Sequence, residues 1–253
     1  TKGKSTTATL IYEMLRKDRN PFDSAQGKNV FFGGNIGKSP LEFLDNLNDQ
    51  SWTVLEMSSF QLKDVKISPH IAVVLMISEE HLDYHKTLEN YLSAKRNILR
   101  FQKEDDFAVI NRDYLTSNES DVYTKGKVFS VSLERECGEG CFLKDGKIII
   151  KTSLWSPALF NESSTQDKNK RSDYAQEKLS LNHSNDARFK IASQRQAPRE
   201  FEIIEIKDVK LLGKHNLENV CAAVMAAFLA GVSKENMTKA IKNFEGLEHR
   251  LEF

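Results

Sequence analysis

The first seven residues, Thr1-Lys2-Gly3-Lys4-Ser5-Thr6-Thr7 (TKGKSTT), carry the reading from which the fold follows. A phosphate-binding loop has the pattern G-x-x-x-x-G-K-[ST] and leads straight into a helix. Gly3, Lys4 and Ser5 supply the closing G-K-S, which puts the opening glycine three positions before residue 1. Leu10, Ile11, Met14 and Leu15 then recur at helical spacing, so a helix is predicted over Thr6–Arg16. That order is what the chemistry needs, because the loop amides and the positive end of the helix hold phosphates together. Lys4 would reach the β- and γ-phosphates of a nucleotide, and the Ser5 hydroxyl would ligate Mg²⁺. A solvated lysine-rich turn is the competing reading, and the helix directly behind it favours the loop.

Outward from this start, short apolar runs alternate with helical patterns. Val30–Phe32 reads as a strand entering GGNIGKSP, where Ser39 is an N-cap and Pro40 the first residue of a further helix. WTVLEMSS (52–59) and HIAVVLMIS (70–78) are near-continuous apolar runs, as expected of strands buried on both faces. Tyr91–Phe101 is helical in pattern, and FAVIN (107–111) is another strand. The alternation predicts an α/β fold: a P-loop-type, mostly parallel sheet flanked by helices. After about residue 130 the texture becomes a small β-rich subregion, in which CFLKDGKIIIK (141–151) signals a hairpin turning at Asp145-Gly146. Asn161–Glu200 is polar and aperiodic and is expected to be a loop-like insertion. FEIIEI (201–206) resumes strand character. Leu217, Val220, Cys221, Val224 and Phe228 mark an amphipathic helix, followed by a second from Lys234 to about Asn243.

Bulk properties exclude several classes of partner. Lys+Arg and Asp+Glu both number 36 in 253 residues, so no net charge recruits nucleic acid or an anionic membrane. No apolar run approaches the ~20 residues of a membrane span. The three cysteines, Cys137, Cys141 and Cys221, suit a reducing cytoplasm better than a disulfide framework. Cys137 and Cys141 have half the spacing of a metal site, but no second Cys/His pair lies nearby, and they read as loop cysteines.

Three more positions carry possible chemistry. Glu56 ends an apolar strand, where α/β sheets bind ligands and a P-loop enzyme keeps a carboxylate for Mg²⁺; a strand-end acid facing water is the plainer alternative. His81 follows two acids after the next strand, as a metal or substrate ligand or as an ordinary loop histidine. Lys95 lies in a helical stretch and by itself reads as a surface lysine.

Taken in order, TKGKSTT, GGNIGKSP, LEMSSFQL, EEHLDYH with NYLSAK, LLGKHNLENVCAA and FEGLEHRLEF resemble the Mur ligases. These build the peptide stem of bacterial peptidoglycan. GGNIG and SSFQL are most similar to the D-glutamate-adding branch. The resemblance covers residues 1–112 and 211–253. It implies that Thr1, Lys2, Gly3, Lys4, Ser5 and Thr6 form the nucleotide loop, with Lys4 catalytic and Ser5 on Mg²⁺. It further implies Asn35 between nucleotide and substrate, Glu56 on Mg²⁺, and Ser58 and Ser59 lining the site. His81 would ligate a second metal together with Lys95 as a carbamate, so both count as catalytic. Asn216 and Asn219 would contact the adenine side, and Arg250 would reach ATP.

The implied activity is ATP-dependent addition of D-glutamate to UDP-N-acetylmuramoyl-L-alanine through an acyl phosphate, in the bacterial cytoplasm and by a monomer. Residues 1–247 are then expected to be a central ATP-binding domain cut from a three-domain enzyme, lacking its first strand. Residues 248–253 would begin the C-terminal ligase domain. A folylpolyglutamate-type or other stem-residue ligase, or a non-catalytic nucleotide-binding fragment, are the alternatives. Limited proteolysis is expected to cut first within 161–200; protection there with cleavage elsewhere would show that segment to be packed.

Overall fold

The computed structural model describes residues 3–18, 29–78, 82–154 and 197–247. Thr1, Lys2, His81 and Arg250 lie outside the described residues, as does the expected insertion except its last four residues.

Helix α1 (Lys4–Asp18) starts directly after Gly3 and buries Leu10, Met14 and Leu15. Strands β1 (Val30–Gly34) and β2 (Trp52–Glu56) pair in parallel, from Val30 opposite Trp52 to Gly34 opposite Glu56. A second sheet runs in chain order: β3 (Ile71–Val74), β4 (Phe107–Asn111), β5 (Lys127–Ser132), β6 (Gly140–Lys144), β7 (Lys147–Thr152) and β8 (Arg199–Glu205). β3 to β6 are parallel, while β7 and β8 are antiparallel additions. The fold is therefore α/β with a mostly parallel sheet, as the sequence implies. Among the described residues no helix is long and apolar enough to cross a membrane.

The helices fall on both faces of the larger sheet. On one face lies α4 (Leu88–Arg100), whose Tyr91 and Leu99 pack with Ala72, Val74, Ala108 and Ile110. On the other lie α6 (Lys214–Leu229) and α7 (Lys234–Asn243), whose Val224, Phe228 and Met237 join Phe107, Val109 and Phe129. β4 is consequently buried at every position, alternate side chains entering alternate cores. Short helices α2 (Ser59–Leu62), α3 (Leu82–His85) and α5 (Leu115–Asn118) decorate the strand ends.

Several details differ from expectation for physical reasons. Among the described residues β2 and β3 belong to separate sheets; α1 links the halves by packing Leu10 and Met14 in one core with Val54 and Val109. β2 is buried on one face only: Thr53 is exposed and Leu55 is 42% exposed, because α1 covers the other side. Ser39 and Pro40 begin a single 3₁₀ turn, Pro40–Glu42, not a longer helix. α6 is not amphipathic. Sandwiched between sheet, α1 and α7, it is buried throughout Glu218–Leu229. Arg199 and Glu200, assigned to the insertion, already belong to β8 and pair with β7. Cys141 sits not in a loop but on β6, fully buried, and all three cysteines are free. The hairpin is where the sequence puts it: Asp145 (φ 48°) and Gly146 (φ 71°) both take the left-handed conformation that a two-residue turn between twisted strands requires.

Helices α1 and α7 meet at Asp18. Its Oδ1 accepts from the Ser233 N–H and the Asn236 side-chain amide, both at 2.9 Å, tying the end of α1 to the start of α7. α6 is the helix on which both sheet and α1 depend. Phe228→Ala is expected to lower unfolding free energy by about 3–5 kcal/mol in urea titration, whereas Leu41→Ala, at a solvent-exposed site, stays within about 0.5 kcal/mol.

Candidate functional site

Three groups of polar residues gather at the C-terminal ends of the strands. The first is the loop entering α1. Gly3 has φ 90°, and the Thr7 N–H donates to its carbonyl at 2.9 Å as the first helical bond. The amides of Lys4, Ser5 and Thr6 precede that bond, so no carbonyl within the helix can accept from them. Ser5, Thr6 and Thr7 are buried. A β-carbon on Gly3 would stand 2.0 Å from Asn219 Oδ1 of α6, so only glycine permits this approach.

The second group surrounds Glu56. Gly34 (φ 110°) brings its backbone against the end of β2; a β-carbon there would lie 2.2 Å from the Glu56 carbonyl. The chain then turns Asn35 onto Glu56, its N–H donating to the carbonyl at 2.7 Å and its side-chain amide to Oε1 at 3.3 Å. Glu56 is 5% exposed, yet its Oε2 has no hydrogen-bond partner among the described residues. An orphaned buried carboxylate oxygen is costly, and a hard divalent cation is the species that satisfies it. The residues present therefore fit Mg²⁺. Among the described residues no three His, Cys, Asp or Glu side chains form a complete metal cage, so hydroxyls, nucleotide oxygens or water must fill the remaining positions.

The third group leads to Lys95. After Glu56, Ser58 caps α2 by accepting from the Gln61 N–H at 3.2 Å. The next residue, Ser59, is 3.0 Å from Nε2 of His85, a buried ring that closes α3. His85 stands edge-on to Tyr91, and the Lys95 ammonium lies 4.8 Å from the Tyr91 ring centroid. A row of contacts thus runs from the turn after β2 to Lys95 on α4. His85 and Tyr91 were not singled out in the sequence; the signal available was the second histidine of HLDYH and Tyr91 four residues before Lys95.

The start of α6 closes a small pocket of about 40 Å³. Gly3, Leu75, Met76, Asn111, Tyr114, His215, Glu218 and Asn219 line it, so the loop of α1 and the ends of β3 and β4 all meet there. The Asn219 amide donates to Asn216 Oδ1 at 3.4 Å, and the Asn216 amide to the Leu212 carbonyl at 2.7 Å. Asn35 thus joins Glu56, and Asn219 stands against Gly3. Asn111 and Tyr114 were missed because no motif marks them, and Glu218, though inside LLGKHNLENVCAA, because the resemblance assigns it no role.

Known proteins resemble this chain in sequence and in fold. A family profile described as the Mur ligase middle domain matches residues 1–139. The UDP-N-acetylmuramoylalanine--D-glutamate ligase of Geobacillus kaustophilus is 35% identical over 254 residues, spanning 99% of this chain and 44% of that protein. The ligase of the same name from Koribacter versatilis is 32% identical over 252 residues, with the same coverage. The chain thus spans less than half the length of these relatives. The fold is similar to the crystal structure of a UDP-N-acetylmuramate:L-alanyl-gamma-D-glutamyl-meso-diaminopimelate ligase from Neisseria meningitides. The TM-score is 0.54 at 15% identity, over 98% of this chain and 65% of that one.

Burial, then the bond to Glu218 and its charge, push the Tyr114 hydroxyl up to about 12. The neutral form is the one the fold favours. Its contribution is therefore whole below the ordinary tyrosine value of about 10 and is lost as pH rises through about 12. Ultraviolet tyrosinate titration should show a late tyrosine that is lost in Tyr114→Phe and moves to lower pH in Glu218→Gln.

Proposed function

Since the chain belongs to the Mur ligase family, we propose that it is the ATP-handling portion of a ligase joining D-glutamate to UDP-N-acetylmuramoyl-L-alanine in peptidoglycan synthesis. The observation that carries this reading is the buried Oε2 of Glu56 at the C-terminal end of β2, unpartnered among the described residues while Asn35 holds Oε1. The names of the most similar relatives support the choice of amino acid. Because the chain spans 44% of their length, the complete reaction is proposed for the longer protein, with residues 1–247 as its nucleotide-binding domain and 248–253 opening the next.

A carboxylate is a poor electrophile, and phosphorylation makes it a good one. The γ-phosphoryl group of ATP passes to the acceptor carboxylate, the ADP oxygen leaves, and an acyl phosphate forms. The D-glutamate amine then attacks the acyl carbon, loses a proton, and expels phosphate to give the amide. The loop amides and the Lys4 ammonium bind the phosphate oxygens and hold the γ-phosphoryl in line. Ser5 and Glu56 would hold Mg²⁺, which supplies neutralising charge to the phosphates when bound. His81 and Lys95, the latter as a carbamate, are proposed to hold a second cation. A carbamate forms only from the neutral amine and CO₂, and it turns a cationic side chain into an anionic ligand. The Ser59–His85–Tyr91 row supports that role by placing Lys95 on the side of α4 nearest the turn after Glu56. Asn216, Asn219 and Arg250 complete the nucleotide side, with Thr1, Lys2 and Thr6 contributing to the loop.

The test is phosphate release by the full-length ligase. It should require ATP, UDP-N-acetylmuramoyl-L-alanine and D-glutamate together, and Lys4→Ala should reduce it on the order of a hundredfold or more. Glu56→Gln should raise the Mg²⁺ concentration needed for half-maximal rate. The 253 residues alone should form no amide. Dependence on a different amino acid, or indifference to Lys4→Ala, would overturn the proposal.

A further inference from the structure

Glu218 is an anomaly in α6. It is a carboxylate only 4% exposed, at the head of a run whose remaining residues from Val220 are apolar. Burying a charge is unfavourable unless each oxygen is engaged, and here both are. The Tyr114 hydroxyl donates to Oε1 at 2.9 Å and the Asn111 side-chain amide to Oε2 at 3.2 Å. Both donors come from across the pocket: Asn111 is the last residue of β4, and Tyr114 precedes α5. The bonds join positions 104 and 107 residues apart. Lys214, on the preceding turn of the same helix, is the cation closest in sequence to Glu218, and its own amine is ion-paired with Glu134.

The core already surrounds α6, so the helix as a whole is held by apolar packing and the clamp acts locally at its start. What the clamp does fix is the lateral position of the helix start. The next residue, Asn219, is itself 4% exposed, with its Oδ1 where a β-carbon of Gly3 would be. A small shift of this turn would open or close the gap between Asn219 and the loop, and would move Asn216, to which Asn219 is bonded. All three members of the clamp, together with Gly3 and Asn219, line one pocket.

We propose that Glu218 is a positioning residue for the nucleotide. Held by Tyr114 and Asn111, it sets the distance between Asn219 and the Gly3 loop, and so governs affinity for ATP and not the rate of phosphoryl transfer. This rests on the nucleotide reading of the preceding subsection.

Steady-state kinetics of the full-length ligase test it. Glu218→Leu keeps the volume and removes the clamp. It should raise KM for ATP about tenfold while kcat and KM for D-glutamate stay within about twofold, a split that general loosening does not produce. Glu218→Gln, which keeps one acceptor oxygen, should fall between. Tyr114→Phe deletes a single hydroxyl and should by itself raise KM for ATP about threefold; this variant decides the matter if Glu218→Leu does not fold. An unchanged KM for ATP in Tyr114→Phe or Glu218→Leu overturns the proposal, as does a parallel rise of every KM with a fall in melting temperature. Lys4→Ala separates the two levels: activity retained without Lys4 refutes the nucleotide site itself. A dead Lys4→Ala enzyme beside a normal KM in Glu218→Leu refutes only the clamp.

Discussion

Helix α6 lies buried along twelve consecutive residues, Glu218–Leu229, and this enclosure fixes much else. Inside it no water competes for backbone groups, so every amide must be paired within the helix and nearly every side chain must be apolar. Ala222, Ala223, Ala226 and Ala227 keep it thin, which lets α1 approach from one side while the sheet stays in contact on the other. Polar work is thereby pushed to the helix start, which faces the loop of α1 at the strand ends. A single burial constraint thus places the two helix N-termini, with their inward-pointing amides, on a common pocket.

Two buried glutamates at this edge show how environment assigns roles to one residue type. Glu218 has a donor on each oxygen and is electrostatically complete. Glu56 has a single long bond from Asn35 and, among the described residues, one oxygen without a partner. The first needs nothing from solution. The second keeps an acceptor that a hard cation would satisfy. Satisfaction of lone pairs, more than burial or charge, distinguishes a strut from a site.

Much of this was legible in the sequence where local rules suffice. Helix α1, the Asp145-Gly146 hairpin, and the limits of α7 follow from Gly geometry, capping and periodicity alone. β5 went unmarked, because KVFSVS carries no long apolar run and takes its stability from β4 and β6. α6 looked amphipathic because small alanines register weakly in an apolar pattern; only the packed neighbours reveal that they are core. In the site, Glu56 was visible as a strand-end residue and Asn35 only through the resemblance carried by GGNIG. Glu218, Tyr114, Asn111 and His85 were not, since each depends on a partner 26 to 107 residues away. Pairing across such spans is a property of topology, which one sequence does not display.

The bond from Ser233 to Asp18 spans 215 residues, and the Lys17 ammonium reaches the Lys239 carbonyl across 222. Helix α1 therefore cannot complete its burial until the last two helices exist. During synthesis its apolar stripe of Leu10, Met14 and Leu15 precedes α6 and α7 and is fully covered only once they follow. Such non-local closure makes folding slow, because the loop entropy is lost before the contacts that reward it form. On the ribosome the nascent chain spends that interval presenting part of a hydrophobic helix, the kind of surface chaperones bind.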